Sequence, residues 1–217
     1  MENVEARKKR TRSIIKILKK TYPDARLALN FTNPLELLIA LILAAQCTDE
    51  RVNQVTAGLF RKYRTAKDWA SADRAVLEEE IHSTGFFRQK TASIQKCTDA
   101  LIERFDGNVP RKLDDLLSLP GVGRKTANIL RGNAYGDPAI GVDTHVARVS
   151  YRLGLTRQKD PDKIEADLVK VVPPADQVAF CWLIQSHGRA ICVARLPRCS
   201  ECPVNELCPK KGVTARA

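Results

Sequence analysis

No apolar run in this sequence is long enough to cross a membrane. A helical span needs ~18 or more consecutive apolar residues, and the longest run here, 35–45, is interrupted by Glu36. That run reads as a buried helix. Convincing apolar–polar alternation is also missing, which argues against a sheet. There is no internal repeat and no low-complexity tract. A secretory signal is not apparent, because Ile14, Ile15 and Leu18 never merge into a continuous apolar segment among the basic residues of the first twenty. Glu2 and Glu5 argue against a transit peptide. Acidic residues are in short supply, 25 Asp plus Glu against 36 Lys plus Arg, for a net charge of +11. That imbalance favours a polyanionic partner, either nucleic acid or an anionic membrane surface.

Seven cysteines are an odd number for a disulfide framework, and without an export signal they point to a reducing compartment. The expectation is a cytoplasmic, nucleoid-associated protein. Forty-four per cent of the 217 residues are hydrophobic, enough for one large domain or two modest ones. Helix punctuation recurs throughout. Asn33-Pro34 is a cap followed by proline at the first helical position, Thr48 or Asp49 opens a helix to about Tyr63, and Asp73 opens one that stops before Gly85. Further helices fit 87–105, 113–118, 123–134, one capped by Asp143 and ending at Gly154, 161–172, and 176–187 with Gly188 as its stop. The fold class is all-α with short loops.

Two segments carry chemistry. In Leu119-Pro120-Gly121-Val122-Gly123-Arg124-Lys125-Thr126, a short helix enters a Gly-Val-Gly turn and a second helix leaves it. The two glycines allow positive φ and close approach to a ligand. The N–H groups opening the second helix suit a phosphate, with the charges of Arg124 and Lys125 beside them. A nucleotide-binding P-loop is excluded, since Arg124 stands where that motif needs glycine before the lysine. Lys125 lies in the first turn, where the helix dipole and Arg124 disfavour the ammonium form, and a neutral lysine is a usable nucleophile. Eighteen residues on, Asp143 opens Val142-Asp143-Thr144-His145-Val146-Ala147-Arg148. Alone it is an ordinary helix cap. Paired with Lys125, it is a carboxylate able to take a proton or steady a cationic sugar.

The second segment is Cys192-x6-Cys199-x2-Cys202-x5-Cys208. Four thiolates this close can reach one metal centre, and the chemistry alone allows a zinc site or a [4Fe-4S] cluster. A zinc ribbon usually carries two CxxC knuckles and here there is one. Arg195 and Arg198, between the first two cysteines, are available to phosphates. His187 reads as a packed or hydrogen-bonded helix residue, and Cys47, Cys97 and Cys181 as packing residues.

LPGVGRKTAN followed by VDTHVAR resembles the helix-hairpin-helix, Gly/Pro-Asp signature of DNA glycosylases, and within them the endonuclease III branch. The cysteine spacing, preceded by Ser186-His187-Gly188-Arg189, resembles that branch's iron–sulfur loop. The resemblance runs from about residue 9 to 209. It implies a helical barrel domain over 27–137, containing the hairpin at about 113–132, and a discontinuous cluster domain of 1–26 with 138–217, its cluster loop at 192–208. It places the catalytic lysine on Lys125 and the catalytic aspartate on Asp143, with hairpin contacts to DNA from Gly121, Val122, Gly123 and Arg124. Ala45-Gln46-Cys47-Thr48-Asp49 matches the segment whose glutamine fills the gap left by a flipped nucleotide, giving Gln46. A wedge from the opposite side falls on Phe86, where the family often has leucine. Ala44 stands where relatives commonly have serine. The cysteines Cys192, Cys199, Cys202 and Cys208 become ligands of a [4Fe-4S] cofactor.

The implied activity is base-excision repair of double-stranded DNA by a monomer. It would be a bifunctional glycosylase for oxidised or ring-saturated pyrimidines, acting through a lysine Schiff base, with lyase cleavage 3′ to the abasic site. The alternatives are a monofunctional adenine or thymine mismatch glycosylase, which Lys125 disfavours, and a non-enzymatic hairpin module that only grips phosphate.

Overall fold

A computed structural model describes residues 2–214. Among these residues the secondary structure is helical with no strand, as the missing alternation led us to expect. No helix among them is long and apolar enough to cross a membrane. The chain divides into two units, one of Ala28–Gly136 and one of Met1–Leu27 with Asp137–Ala217.

In the first unit, α2 (Pro34–Leu43) is the element around which the others assemble. It touches α3 (Asp49–Lys62), α6 (Phe87–Phe105) and α8 (Arg124–Tyr135). Its sequence, PLELLIALIL, is apolar on all sides, which suits a helix enclosed by neighbours. Leu37, Leu38, Ile39 and Leu43 are completely buried, each contributing about 1.5–3 kcal/mol by leaving water. Asn33 caps α2 by accepting from Glu36 N at 3.0 Å. Glu36, the one acid in the run, lies in the first turn and reaches back to accept from Thr32 N at 2.6 Å, so it does not enter the core.

The helices predicted from punctuation are present, with two differences. An additional short helix, α4 (Ala66–Ala70), is closed by reciprocal bonds in which Thr65 Oγ1 accepts from Asp68 N at 3.2 Å and Asp68 accepts from Thr65 N at 2.8 Å. Its capping box was readable in the sequence. The short helices α5 (Arg74–Glu80) and α7 (Leu113–Leu117) complete the unit.

The second unit is built from α1 (Val4–Thr21), α9 (Thr144–Arg152), α10 (Pro161–Val171) and α11 (Gln177–Ala190). Ile14, Leu18, Val149, Leu168, Phe180 and Ile184 join in one apolar cluster. The second difference lies here: Gly188 does not stop α11, which continues to Ala190. A Cβ at Gly188 would lie 3.0 Å from His145 Nδ1, 3.1 Å from Arg148 Nη2 and 3.2 Å from Val149 Cγ2. The glycine is therefore there to let α9 and α11 approach closely.

A pair of alanine substitutions separates the two uses of helical glycine. Gly58, inside α3, has open space where a Cβ would go, so Gly58→Ala should raise the melting temperature, by a stability gain of about 0.5–1 kcal/mol. Gly188→Ala should lower it despite the same propensity gain, because overpacking costs about 1–3 kcal/mol. Thermal melts of both variants check this, and stabilisation by Gly188→Ala would refute the close-approach argument.

Candidate DNA-repair site and thiol cluster

The hairpin is formed by α7, a turn and α8. Within the turn, Val122 N donates to Leu119 O at 3.2 Å. Pro120 and Gly121 fill its central positions, and Gly121 has φ +79, the arrangement of a type II turn. Leu119 and Val122 are buried and pin its ends. Gly123 differs from the sequence expectation. Its φ is −87 and ψ 169, an extended conformation open to any residue, and an added Cβ would meet nothing within 4 Å. What the glycine provides is the absence of a side chain: α8 starts with no side-chain cap, and the space over its first turn is open. Arg124 is half-buried and Lys125 is exposed in that turn. The first unit by itself therefore does not shield Lys125 from water.

Beside the hairpin, Gly121 and Thr126 share a pocket of about 250 Å³ with Gln46, Phe86, Lys90 and Ser93. Two of these are non-glycine residues in the left-handed region, Gln46 at φ 54 and Phe86 at φ 50. Such residues cost about 1–3 kcal/mol each and persist where the surroundings over-determine them, often at functional sites. Phe86 is 56% exposed. The neighbouring Phe87 ring is covered by His82, with centroids 4.5 Å apart, and by Arg88 at 5.4 Å, so Phe86 is the aromatic offered to solvent. The sequence reading missed Lys90, which is almost fully buried at the pocket's edge. Burial holds its pKa below the ordinary lysine value, the Cys47 thiol opposing weakly. Nothing in the pattern of an amphipathic helix distinguishes such a lysine from a solvated one.

In the second unit, Asp143 is the N-cap of α9, its Oδ1 accepting from Val146 N at 2.7 Å. The cap bond fixes the carboxylate and leaves Oδ2 for other work.

The four cysteines of the C-terminal segment, Cys192, Cys199, Cys202 and Cys208, line one cavity together with Arg152 and His187. Among the described residues no three Cys, His, Asp or Glu side chains cluster as ligands of one metal ion. Four cysteine thiols around one cavity are a donor set of the kind that holds an iron–sulfur cluster. Burial pushes the free Cys202 thiol up to about 11 and raises Cys208 as well. Either group would therefore have to be deprotonated by its metal. His187 is fully buried, which pulls its pKa down to about 4. It is hydrogen-bonded, with Tyr22 Oη 3.1 Å from Nδ1 and Cys202 Sγ 3.6 Å from Nε2.

The loop carrying Cys192 hangs on guanidinium groups. Arg152 donates to Cys192 O at 3.3 Å, Val193 O at 2.7 Å and Ala194 O at 2.6 Å, with Cys192 Sγ 3.4 Å away. Arg148 adds bonds to Gly188 O at 2.9 Å and Cys192 O at 3.3 Å. Of the two arginines predicted to meet phosphate, Arg195 is exposed. Arg198 donates to Ala190 O and pairs with Glu201 at 3.4 Å, so it already serves the loop.

Residues 39–174 match the HhH-GPD superfamily of base-excision DNA-repair proteins. The chain belongs to that superfamily. Its relatives include endonuclease III of Synechocystis, 50% identical over 96% of both chains, and that of Bacillus subtilis, 44% identical over 90% of this chain and 92% of the other. Endonuclease III of Escherichia coli K12 is 40% identical over 91% and 94%. A trapped endonuclease III–DNA covalent intermediate superposes with a TM-score of 0.87 at 44% identity, covering 97% of each chain. A thermostable thymine-DNA glycosylase, at 23% identity and a TM-score of 0.83, shares the fold. The HhH-GPD match spans both the hairpin and Asp143, and makes this chain a DNA-repair glycosylase.

For this glycosylase the guanidinium lattice sets the integrity of the thiol loop. Arg152→Met removes the donors to three carbonyls at a cost of about 2 kcal/mol or more. The variant should melt earlier than the parent, and Cys192 should react faster with a thiol reagent. An unchanged melting temperature and thiol reactivity would contradict this role.

Proposed function

We propose that this chain is a bifunctional glycosylase and lyase that removes oxidised or ring-saturated pyrimidines from duplex DNA, acting as a monomer in the cytoplasm on nucleoid DNA. The observation that carries the reading is Lys125, an exposed amine in the first turn of a helix whose start bears no capping side chain. The trapped covalent intermediate formed by the endonuclease III relative supports it.

The basic surface docks on the phosphate backbone, and the N–H groups at the start of α8 hold a phosphate. The lesion nucleotide flips out of the stack, with Gln46 filling the space it leaves and Phe86 wedging in from the opposite side. Lys125 Nζ forms a bond to the anomeric carbon as the glycosidic bond breaks. The departing base keeps the bonding pair and takes up a proton. The Asp143 carboxylate steadies the positive charge developing on the sugar, and the attacking amine gives up a proton to water. The ring oxygen takes a proton from water as the sugar ring opens, leaving a protonated imine. Loss of a proton from the adjacent carbon then expels the 3′ phosphate with its electron pair, and water releases the lysine. Cys192, Cys199, Cys202 and Cys208 would hold a [4Fe-4S] cluster. When bound, it ties the C-terminal loop together, presenting Arg195 toward the backbone.

Borohydride reduction traps an imine as a stable adduct. On a duplex with one thymine glycol, the parent should give a covalent protein–DNA product and Lys125→Ala none, while the variant still binds duplex. Tight binding without an adduct from the parent would overturn the bifunctional reading in favour of a monofunctional glycosylase. Because binding of this kind releases counterions, duplex affinity should fall steeply and linearly on a log–log plot against salt. A flat dependence would rule out backbone docking by the +11 chain.

A further inference from the structure

Lys90 is 4% exposed, and its ammonium donates to a single acceptor, Thr84 O at 2.7 Å. An ammonium has three donors and is costly to remove from water. An unbranched apolar side chain of similar size would fill the same space without that penalty. The purpose of the lysine lies in where its one bond goes. Thr84 is followed by two consecutive left-handed residues, Gly85 at φ 71 and Phe86 at φ 50. Directly beyond them, the backbone N–H of Lys90 donates to Phe86 O at 3.0 Å. One residue thus grips the chain on both sides of the kink. The hydroxyl of Thr84 is already committed to Ile81 O at 2.8 Å, which closes the near end of the loop. Phe86, held in a backbone region a bulky residue rarely adopts, projects its ring into solvent at the rim of the pocket it shares with Gln46 and Lys90.

We propose that Lys90 is a positioning residue whose hydrogen bond to Thr84 holds Phe86 in its strained, exposed setting, so that the ring enters the duplex on the strand opposite the flipped nucleotide. The proposal rests on the glycosylase reading above, but it concerns insertion and not the lysine chemistry. Burial already weakens the ammonium's preference for charge, so the site tolerates this cation only because the bond is made.

The test is a duplex with an abasic site facing 2-aminopurine, whose fluorescence rises when the opposite base unstacks. The parent should raise the signal on binding. Lys90→Met and Phe86→Ala should each lose most of that rise, and the double variant should lose no more than Phe86→Ala alone, since Lys90 acts through Phe86. Additive losses, or a full rise with Lys90→Met, would overturn the proposal, as would a parent that gives no rise. If Lys90→Met does not melt cooperatively, Lys90→Gln, which is smaller and polar, carries the same comparison. Borohydride trapping of the parent, run in parallel, separates this from the catalytic reading: a missing adduct sinks the latter, while the fluorescence comparison still decides the role of Lys90.

Discussion

A helix cannot satisfy its own first backbone N–H groups, and much of this molecule follows from how each helix start handles them. Asn3, Asn33, Thr48, Thr65, Asp73, Asp143 and Asp160 each turn a side-chain oxygen onto the first turn of the helix they precede. Those starts are closed and give the fold fixed geometry. The starts of α6, α7, α8 and α11 have no such side chain. At α8 the residue before the helix is an extended glycine whose added Cβ would meet nothing within 4 Å, so no side chain of its own closes the turn that carries Lys125. The same solvation problem is thus met in two ways, by a side-chain cap or by leaving the first turn open. Asp143 joins the two cases, because one carboxylate oxygen closes α9 while the other stays uncommitted.

This also explains how far the sequence could be read. Caps are local, so Asn33-Pro34, Asp73, Asp143 and Asp160-Pro161 could be read from a few residues each, and the all-α class followed from the missing alternation. The hairpin, Gln46, Phe86 and the four cysteines are found in short motifs and could be named. Whether a glycine serves its own backbone or a neighbour's is not local. Gly188 reads as a stop and is in fact a contact for α9; Gly123 reads as a positive-φ position and is in fact extended. Lys90 was invisible for the same reason, since its meaning depends on a carbonyl six residues away across a kink and on how deeply α6 packs.

The thiol loop has a comparable dependence. Irregular backbone leaves carbonyls that no helix satisfies, and residues 192–194 find their donors in Arg152 and Arg148 of α9. Arg152 carries five donors in a fixed fork, which suits it to three successive carbonyls better than any single-donor side chain. The helix opened by Asp143 is therefore also the helix that shapes the loop of Cys192. A disturbance of α9, by crowding at Gly188 for instance, reaches the candidate carboxylate and the thiol loop together.

In the first unit, strain is concentrated where DNA would be met. Gln46 and Phe86 each hold a backbone conformation that a bulky residue avoids, and both stand at one pocket. The other non-glycine residues with positive φ, Asp106 and Lys210, lie outside that pocket, and Asp106 closes the end of α6. Strain of this kind must be held by surrounding contacts. For Phe86 the holding contacts are few and identifiable, a buried ammonium on one side and two helix-opening N–H groups, of Gln89 and Lys90, on the other. A ring that has to enter a base stack gains from being fixed in advance, because no ordering entropy then remains to be lost at the moment of insertion. The cost of burying Lys90 and the cost of twisting Phe86 are two parts of one arrangement, and neither is intelligible without the other.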